Sequence, residues 1–312
     1  MISKMNIEDA HLRIQSHIHN TAILTSSKLN ALADAELLFK CENFQKIGAF
    51  KARGAINFAL QLTQEEIKNG LCAHSSGNHA QAVALAAQLL NTSAYIVMPE
   101  TAPKVKVAAT KGYGATITFC EPTLQAREDT LAKVQQKTNA IFIPPYNHEW
   151  IIEGQATCAK EIFEKVDGLN YLVTPVGGGG LLAGSALSAN YFSPKTKVIA
   201  SEPEGADDAF RSFQSGNLVP SKEPKTIADG LLTSLGPINF ELIKRHVSEI
   251  KLVTDDEIIE AMKLIFLHLK IVVEPSSATV LALVLKHKER FKGKKIALIL
   301  SGGNVDLAKL PF

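Results

Sequence analysis

Tyr171-Leu172-Val173-Thr174-Pro175-Val176-Gly177-Gly178-Gly179-Gly180-Leu181-Leu182-Ala183-Gly184 reads as a buried strand, a run of four glycines and the opening of an alanine- and serine-rich helix. Strand, turn and helix in that order are the unit of an α/β fold with parallel strands. The glycines leave backbone N–H groups unobstructed at the positive end of a helix, which makes a cradle for a phosphate. No Lys-Ser/Thr ending closes the run, and no Gly-x-Gly-x-x-Gly with a matching acidic residue is present, so nucleotide-binding loops lose weight. A flexible loop with no ligand fits the same residues.

A second run, Asn43-Phe44-Gln45-Lys46-Ile47-Gly48-Ala49-Phe50-Lys51-Ala52-Arg53-Gly54-Ala55, places Lys51 after an apolar strand and at the head of a helical pattern. A lysine at such a turn can point its amine into a cleft. Apolar neighbours such as Ala49 and Phe50 lower its pKa toward the uncharged form that Schiff-base formation with a carbonyl cofactor needs. A surface lysine at a helix start is the plainer reading. Further on, Lys295-Ile296-Ala297-Leu298-Ile299-Leu300 reads as a buried parallel strand. Ser301-Gly302-Gly303-Asn304 follows at its carboxyl end, where open α/β sheets bind ligands, although a bare strand-to-turn junction gives the same pattern.

A chain of 312 residues with 46% hydrophobic content can bury a large core, and its length suggests two domains. The 33 basic and 31 acidic residues leave a net charge of only +2, with no basic stripe interleaved with aromatics, which argues against nucleic-acid binding. Cys41, Cys72, Cys120 and Cys158 lie far apart, so neither a zinc site nor a disulfide framework is indicated, and reduced thiols in a cytosol fit best. The N-terminus has no signal-peptide pattern, and no stretch approaches the ~20 apolar residues of a membrane span. Between about Gly70 and Tyr146 the pattern alternates: strands Leu71 to His74, Ala94 to Met98, Ala115 to Phe119 and Ala140 to Ile143, with helices His79 to Leu90, Pro103 to Lys111 and Leu124 to Lys137. The loop Ser75-Ser76-Gly77-Asn78-His79-Ala80-Gln81 opens the first of these helices and offers N–H donors to an anion; Ser75 and Ser76 can equally cap the helix.

These motifs, in this order from about Leu24 to Leu307, resemble the pyridoxal-phosphate enzymes of the tryptophan-synthase-β fold type, and among them the serine racemase and serine/threonine dehydratase group. The resemblance implies a two-domain, three-layer α/β/α architecture with mostly parallel sheets. A small domain, 67–147, is inserted into a large one made of 1–66 and 148–312, with the cofactor in the cleft between them. It implies that Lys51 holds pyridoxal 5'-phosphate and takes the α-proton of the substrate. Gly177, Gly178, Gly179, Gly180 and Leu181 would hold the phosphate, Asn78 the ring hydroxyl and Phe50 the ring face. Ser301 would face the ring nitrogen, and a neutral hydroxyl there, in place of an aspartate, leaves that nitrogen unprotonated and suits β-elimination.

For the substrate, the resemblance implies carboxylate binding at Ser75, Ser76, Asn78 and His79, with Ser76 facing the side opposite Lys51. Arg127 would approach the substrate, although on a helix face it is otherwise a solvated charge. Glu202, Ala206 and Asp208 match a divalent-cation site, and their oxygens suit Mg²⁺ or Ca²⁺; an acidic loop without metal is the alternative. Ile47, Ala49, Ala80, Asn147 and Glu149 depart from the group's pattern, the first two by removing hydroxyls near the cofactor. The expected activity is dehydration of L-threonine and L-serine to 2-oxo acid and ammonia, with 3-hydroxyaspartate dehydration or serine racemisation as alternatives and a cofactor carrier as the non-enzymatic one. A cytoplasmic homodimer with a small hydroxy amino acid as its ligand, and with neither nucleic-acid nor membrane partners, completes the expectation.

Overall fold

The structure, a computed structural model, describes residues 2–312. Its strands are β1 (Ile23–Leu24), β2 (Glu36–Cys41), β3 (Leu71–His74), β4 (Ala94–Pro99), β5 (Thr116–Cys120), β6 (Ile141–Phe142), β7 (Tyr171–Pro175), β8 (Lys197–Pro203), β9 (Glu249–Val253) and β10 (Lys295–Leu300). β10 lies inside a sheet ordered β1-β2-β10-β7-β8-β9 because everything after Lys295 in it is apolar and buried. It runs parallel to β2, from Lys295 opposite Glu36 to Leu300 opposite Cys41, and parallel to β7 on its other side. Among the described residues, only the β1–β2 pair of the strands in this sheet is antiparallel.

Helices cover both faces of this sheet. Glu149–Phe163 and Gly180–Phe192 bury Ile152, Cys158, Leu182 and Leu187 against one face; Asp255–Leu269 and Pro275–Lys286 bury Ile258, Ile265, Leu281 and Leu283 against the other. The second sheet, β5-β4-β3-β6, is wholly parallel and comes from the middle of the chain. The architecture is therefore α/β with two mostly parallel sheets, as expected, the larger assembled from both ends of the sequence. Predicted strand and helix ends in the middle segment lie within one or two residues of those observed.

One expectation needs correction: no strand feeds Lys51 directly. β2 ends at Cys41, and two 3₁₀ turns, Glu42–Phe44 and Lys46–Gly48, intervene before the helix Lys51–Ala59. Ile47 takes φ +60° and Gly48 φ +69°, so the chain doubles back here. The segment is held by the end of β10: Phe50 N–H donates to Ser301 O at 3.0 Å, Gly303 N–H to Gly48 O at 2.9 Å, and the Asn304 amide to Ile47 O at 2.7 Å. Those cross-links offset the strain of a β-branched residue in the left-handed region.

The helix Lys51–Ala59 crosses Glu149–Phe163 at a pair of glycines, since a Cβ on Gly154 would stand 2.7 Å from Gly54 Cα. That approach seats the Arg53 guanidinium between two buried carboxylates: Nε lies 2.7 Å from Glu42 Oε2 and Nη1 2.7 Å from Glu161 Oε1. Lys40 Nζ joins Glu161 at 2.6 Å, giving two cations and two anions in the dry core. The arrangement is neutral and fully hydrogen-bonded, so it is tolerable; removing Arg53 alone would strand both carboxylates at a cost of about 3–5 kcal/mol.

Candidate active site

A cleft of about 610 Å³ opens between the two sheets, lined by Phe50, Lys51, the 74–79 loop, Arg127, Tyr146, Gly177–Leu181, Glu274 and Ser301. All of the residues expected at a cofactor or its substrate thus share one cavity, although they come from the carboxyl ends of β3, β7 and β10 and from two helix starts. That is where parallel sheets place ligands.

Lys51 is the first residue of its helix, and its amine donates to Pro145 O at 2.6 Å. The amine stands 5.3 Å from the Phe50 ring centroid and 5.8 Å from that of Tyr146. Burial pushes its pKa down to about 8, against a smaller upward pull from the Glu274 carboxylate. An amine so placed has a neutral, nucleophilic fraction at physiological pH.

Facing it, the glycine run connects β7 to the helix Gly180–Phe192. Gly179 caps that helix at φ +90°, a conformation that favours glycine, and a Cβ at Gly178 would overlap the Tyr146 ring. Among the described residues, none accepts a hydrogen bond from the N–H groups of Gly177, Gly178, Gly179 or Gly180. Buried backbone donors without partners call for an anion or water, so this cradle and the amine across from it fit a phosphorylated carbonyl cofactor.

The 75–79 loop carries a second set of donors. Gly77 caps the helix Asn78–Leu89 without any side-chain bond, and Ser75 Oγ accepts from Gly77 N at 3.3 Å, so neither serine takes the capping role. The His79 ring is spoken for: its Nε2 lies 2.8 Å from Ile143 O, and burial together with the Lys51 charge drives its pKa down to about 3, keeping it neutral. His79 can therefore meet a substrate through its backbone N–H, and its imidazole is committed to the fold. Asn78 is committed as well, donating to Glu274 Oε1 at 2.9 Å and Oε2 at 3.1 Å while its Oδ1 accepts from Asn304 at 2.9 Å. Arg127, on the helix Leu124–Thr138, reaches the cleft with only a 3.4 Å contact from its Nε to Thr123 O.

Ser301 is buried at the end of β10, its hydroxyl 3.1 Å from that of Ser277. Ile47 and Ala49 are buried away from the cleft lining, so the hydroxyls missing at those positions are not missing from the site. Asn147 has a structural partner, its Oδ1 accepting from Ile238 N at 2.9 Å.

Glu202, Ala206 and Asp208 lie together outside the cleft, where β8 meets the helix Asp208–Ser215. Glu202 accepts from Ala209 N at 2.8 Å and Phe210 N at 2.7 Å; Asp208 Oδ2 accepts from Leu235 N at 3.0 Å, and its Oδ1 is buried without a partner. Burial pushes both carboxyls up, to about 9 and about 6. Among the described residues no salt bridge joins either carboxyl to a cation, and Asp208 keeps one orphaned oxygen, a donor set that suits a hard divalent ion with waters completing its shell.

Sequence reading gave no role to Glu274, Tyr146, Pro145 or Asn304. Glu274 had a signal: a lone acid in Ile271-Val272-Val273-Glu274-Pro275, followed by the proline that starts the helix Pro275–Lys286. It is buried against the cleft, and burial followed by the charge of Asp229 raises its pKa to about 7. Pro145 and Tyr146 match the opening of a Pro-Tyr-Asp-His-Pro stretch frequent in the group, from which Asn147 and Glu149 depart, but that match carries no role for them, since their roles depend on contacts with the glycine run and Lys51.

Comparison with known proteins agrees with this geometry. Residues 14–302 match the family model described as pyridoxal-phosphate dependent enzyme. The chain is 51% identical to a β-hydroxyaspartate dehydratase of Paracoccus denitrificans (97% of this chain, 96% of the relative) and 46% identical to an L-threo-3-hydroxyaspartate ammonia-lyase of Saccharomyces cerevisiae (97% and 94%). The crystal structure of serine racemase from Dictyostelium discoideum superposes with a TM-score of 0.93 at 46% identity, covering 98% of this chain and 99% of that one. With its two parallel sheets, its amine-bearing cleft and its uncapped glycine cradle, the chain belongs to the pyridoxal-phosphate dependent enzymes, in the serine racemase and dehydratase group of the tryptophan-synthase-β fold type.

Proposed function

We propose that the chain is an ammonia-lyase that dehydrates a β-hydroxy amino acid, with 3-hydroxyaspartate preferred over L-threonine and L-serine. The observation that carries the preference is Arg127. Its guanidinium lines the same cleft as the Lys51 amine and, among the described residues, forms no ion pair, so its charge is free for a second carboxylate. The names of the Paracoccus and yeast relatives, both hydroxyaspartate enzymes, support the same direction.

Pyridoxal phosphate, when bound, supplies the electron sink that makes the α-proton acidic. The N–H groups of Gly177–Gly180 hold its phosphate. Lys51, with about a tenth of its amine neutral at pH 7 on a pKa of about 8, takes the α-proton of an L-substrate, and the Pro145 carbonyl receives the ammonium that results. The uncapped amides opening the helix Asn78–Leu89 take the α-carboxylate. Ser301 presents a hydroxyl and no charge. Loss of the β-hydroxide leaves an enamine that hydrolyses to a 2-oxo acid and ammonia. Ser76, in the loop on the cleft's other wall, is our candidate for proton exchange on the second face. The lobe that carries Ser76 and Arg127 corresponds to the small domain, which we assign to 67–147.

The test is a comparison of kcat/KM for L-threo-3-hydroxyaspartate, L-serine and L-threonine, followed by 2-oxo acid release. The dicarboxylate should lead by at least tenfold, and Arg127→Ala should remove that lead through KM while sparing L-serine, since one lost charged hydrogen bond costs about 1.5–3 kcal/mol. Equal or higher kcat/KM for L-serine and L-threonine would overturn the preference for the dicarboxylate, and an unchanged lead in the variant would overturn the role of Arg127 in it.

A further inference from the structure

Asn239 is fully buried in the first turn of the helix Pro237–His246, outside every role given above. Its Nδ2 donates to Gly178 O at 2.6 Å and lies 3.3 Å from Tyr146 O. Two further bonds cross the same junction: Gly236 N–H to Gly178 O at 3.1 Å, and Ile238 N–H to Asn147 Oδ1 at 2.9 Å. One helix start is thus tied to the middle of the glycine run and to the segment 146–147. The orientation of the amide is forced, because the opposite flip would set its oxygen against two carbonyls; the actual Oδ1 is buried with no partner. Close packing leaves no slack, since a Cβ on Gly179 would meet Asn239 Cβ at 2.9 Å.

The two segments joined here serve different halves of the site. Gly178 belongs to the anion cradle. Tyr146 directly follows Pro145, whose carbonyl receives the Lys51 amine at 2.6 Å. We propose that Asn239 is a positioning residue that locks the phosphate cradle to the carbonyl that receives the catalytic lysine, so that cofactor affinity and lysine environment are set together by one carboxamide. A residue that only stabilised its helix would leave both unchanged. The inference rests on the cofactor reading and is independent of which amino acid is the substrate.

The test uses the holoenzyme. Asn239→Asp is isosteric and loses the donor, and Asn239→Ala reads the same loss if the aspartate variant does not accumulate in soluble form. Leu242→Ala, on the same helix and touching neither carbonyl, controls for destabilisation. Cofactor retained at equilibrium dialysis against graded pyridoxal phosphate gives affinity, and the pH titration of the bound cofactor's visible absorbance reports the lysine linkage. The expected result is a loss of affinity on the order of tenfold or more for the Asn239 variants, with a displaced absorbance titration, while Leu242→Ala keeps both at wild-type values. Wild-type affinity and titration in the Asn239 variants, or equal changes in the control, would overturn the inference. A wild-type protein that retained no cofactor would overturn the cofactor reading and this inference with it.

Discussion

Lys51 owes its behaviour to its neighbours more than to its position in the helix. The apolar flank visible in the sequence accounts for the direction of its pKa shift, and burial is the dominant cause in the structure. The carbonyl that receives it and the carboxylate that pulls on it come from Pro145 and Glu274, about 94 and more than 200 positions away, and no local pattern foretells such contacts. Glu274 invites a pH test. Its folded pKa, about 7, lies above the ordinary 4.5, so the folded state binds this proton more tightly. Stability is then greatest with the group protonated and falls as pH rises from 4.5 through about 7, by up to about 3 kcal/mol. Glu274→Gln should flatten that fall in melting temperature; an equally steep decline in the variant would assign the pH dependence to other groups. Ser76 belongs at the same scale. Elimination from an L-amino acid needs a base on the Lys51 side alone, whereas racemisation needs a proton donor opposite. Ser76→Ala should therefore lose D/L interconversion by ~10²–10⁴-fold while retaining L-substrate dehydration. Proportional loss of both reactions would make Ser76 a binding residue only.

Among the elements, the central strands were legible because they are continuous apolar runs bounded by glycine and serine, the mark of strands buried on both faces. β10 and the strand before the glycine run were placed nearly residue for residue. The 3₁₀ turns before Lys51 were not, because their shape depends on Ser301, Gly303 and Asn304 reaching across from β10. The carboxylates at the junction of β8 and the helix Asp208–Ser215 carry a prediction of their own. A divalent ion filling the place beside the orphaned Asp208 Oδ1 would bind the folded state only and stabilise it by mass action. EDTA should lower the melting temperature, Mg²⁺ or Ca²⁺ should restore it, and Asp208→Asn should abolish the response. A melting temperature indifferent to chelation and to added cation would leave an acidic junction with no metal.

At the scale of the whole molecule, the larger sheet is built from both ends of the chain and the smaller one from the middle. The cleft forms because β3, β7 and β10 all point their carboxyl ends at it. The Lys106–Asp229 ion pair links the two sides at its lining. Composition could not anticipate the Arg53–Glu42–Glu161–Lys40 cluster, since four charges spread over more than a hundred positions read as ordinary solvated residues until the fold buries them. The account stands on one amine: we propose that, of all the lysines, Lys51 alone carries the cofactor. Purified protein loaded with pyridoxal phosphate, reduced with borohydride and digested, should yield one labelled peptide with the label on Lys51, and Lys51→Ala should yield none and turn over no substrate. A label on any other lysine, or undiminished turnover in Lys51→Ala, would contradict the account.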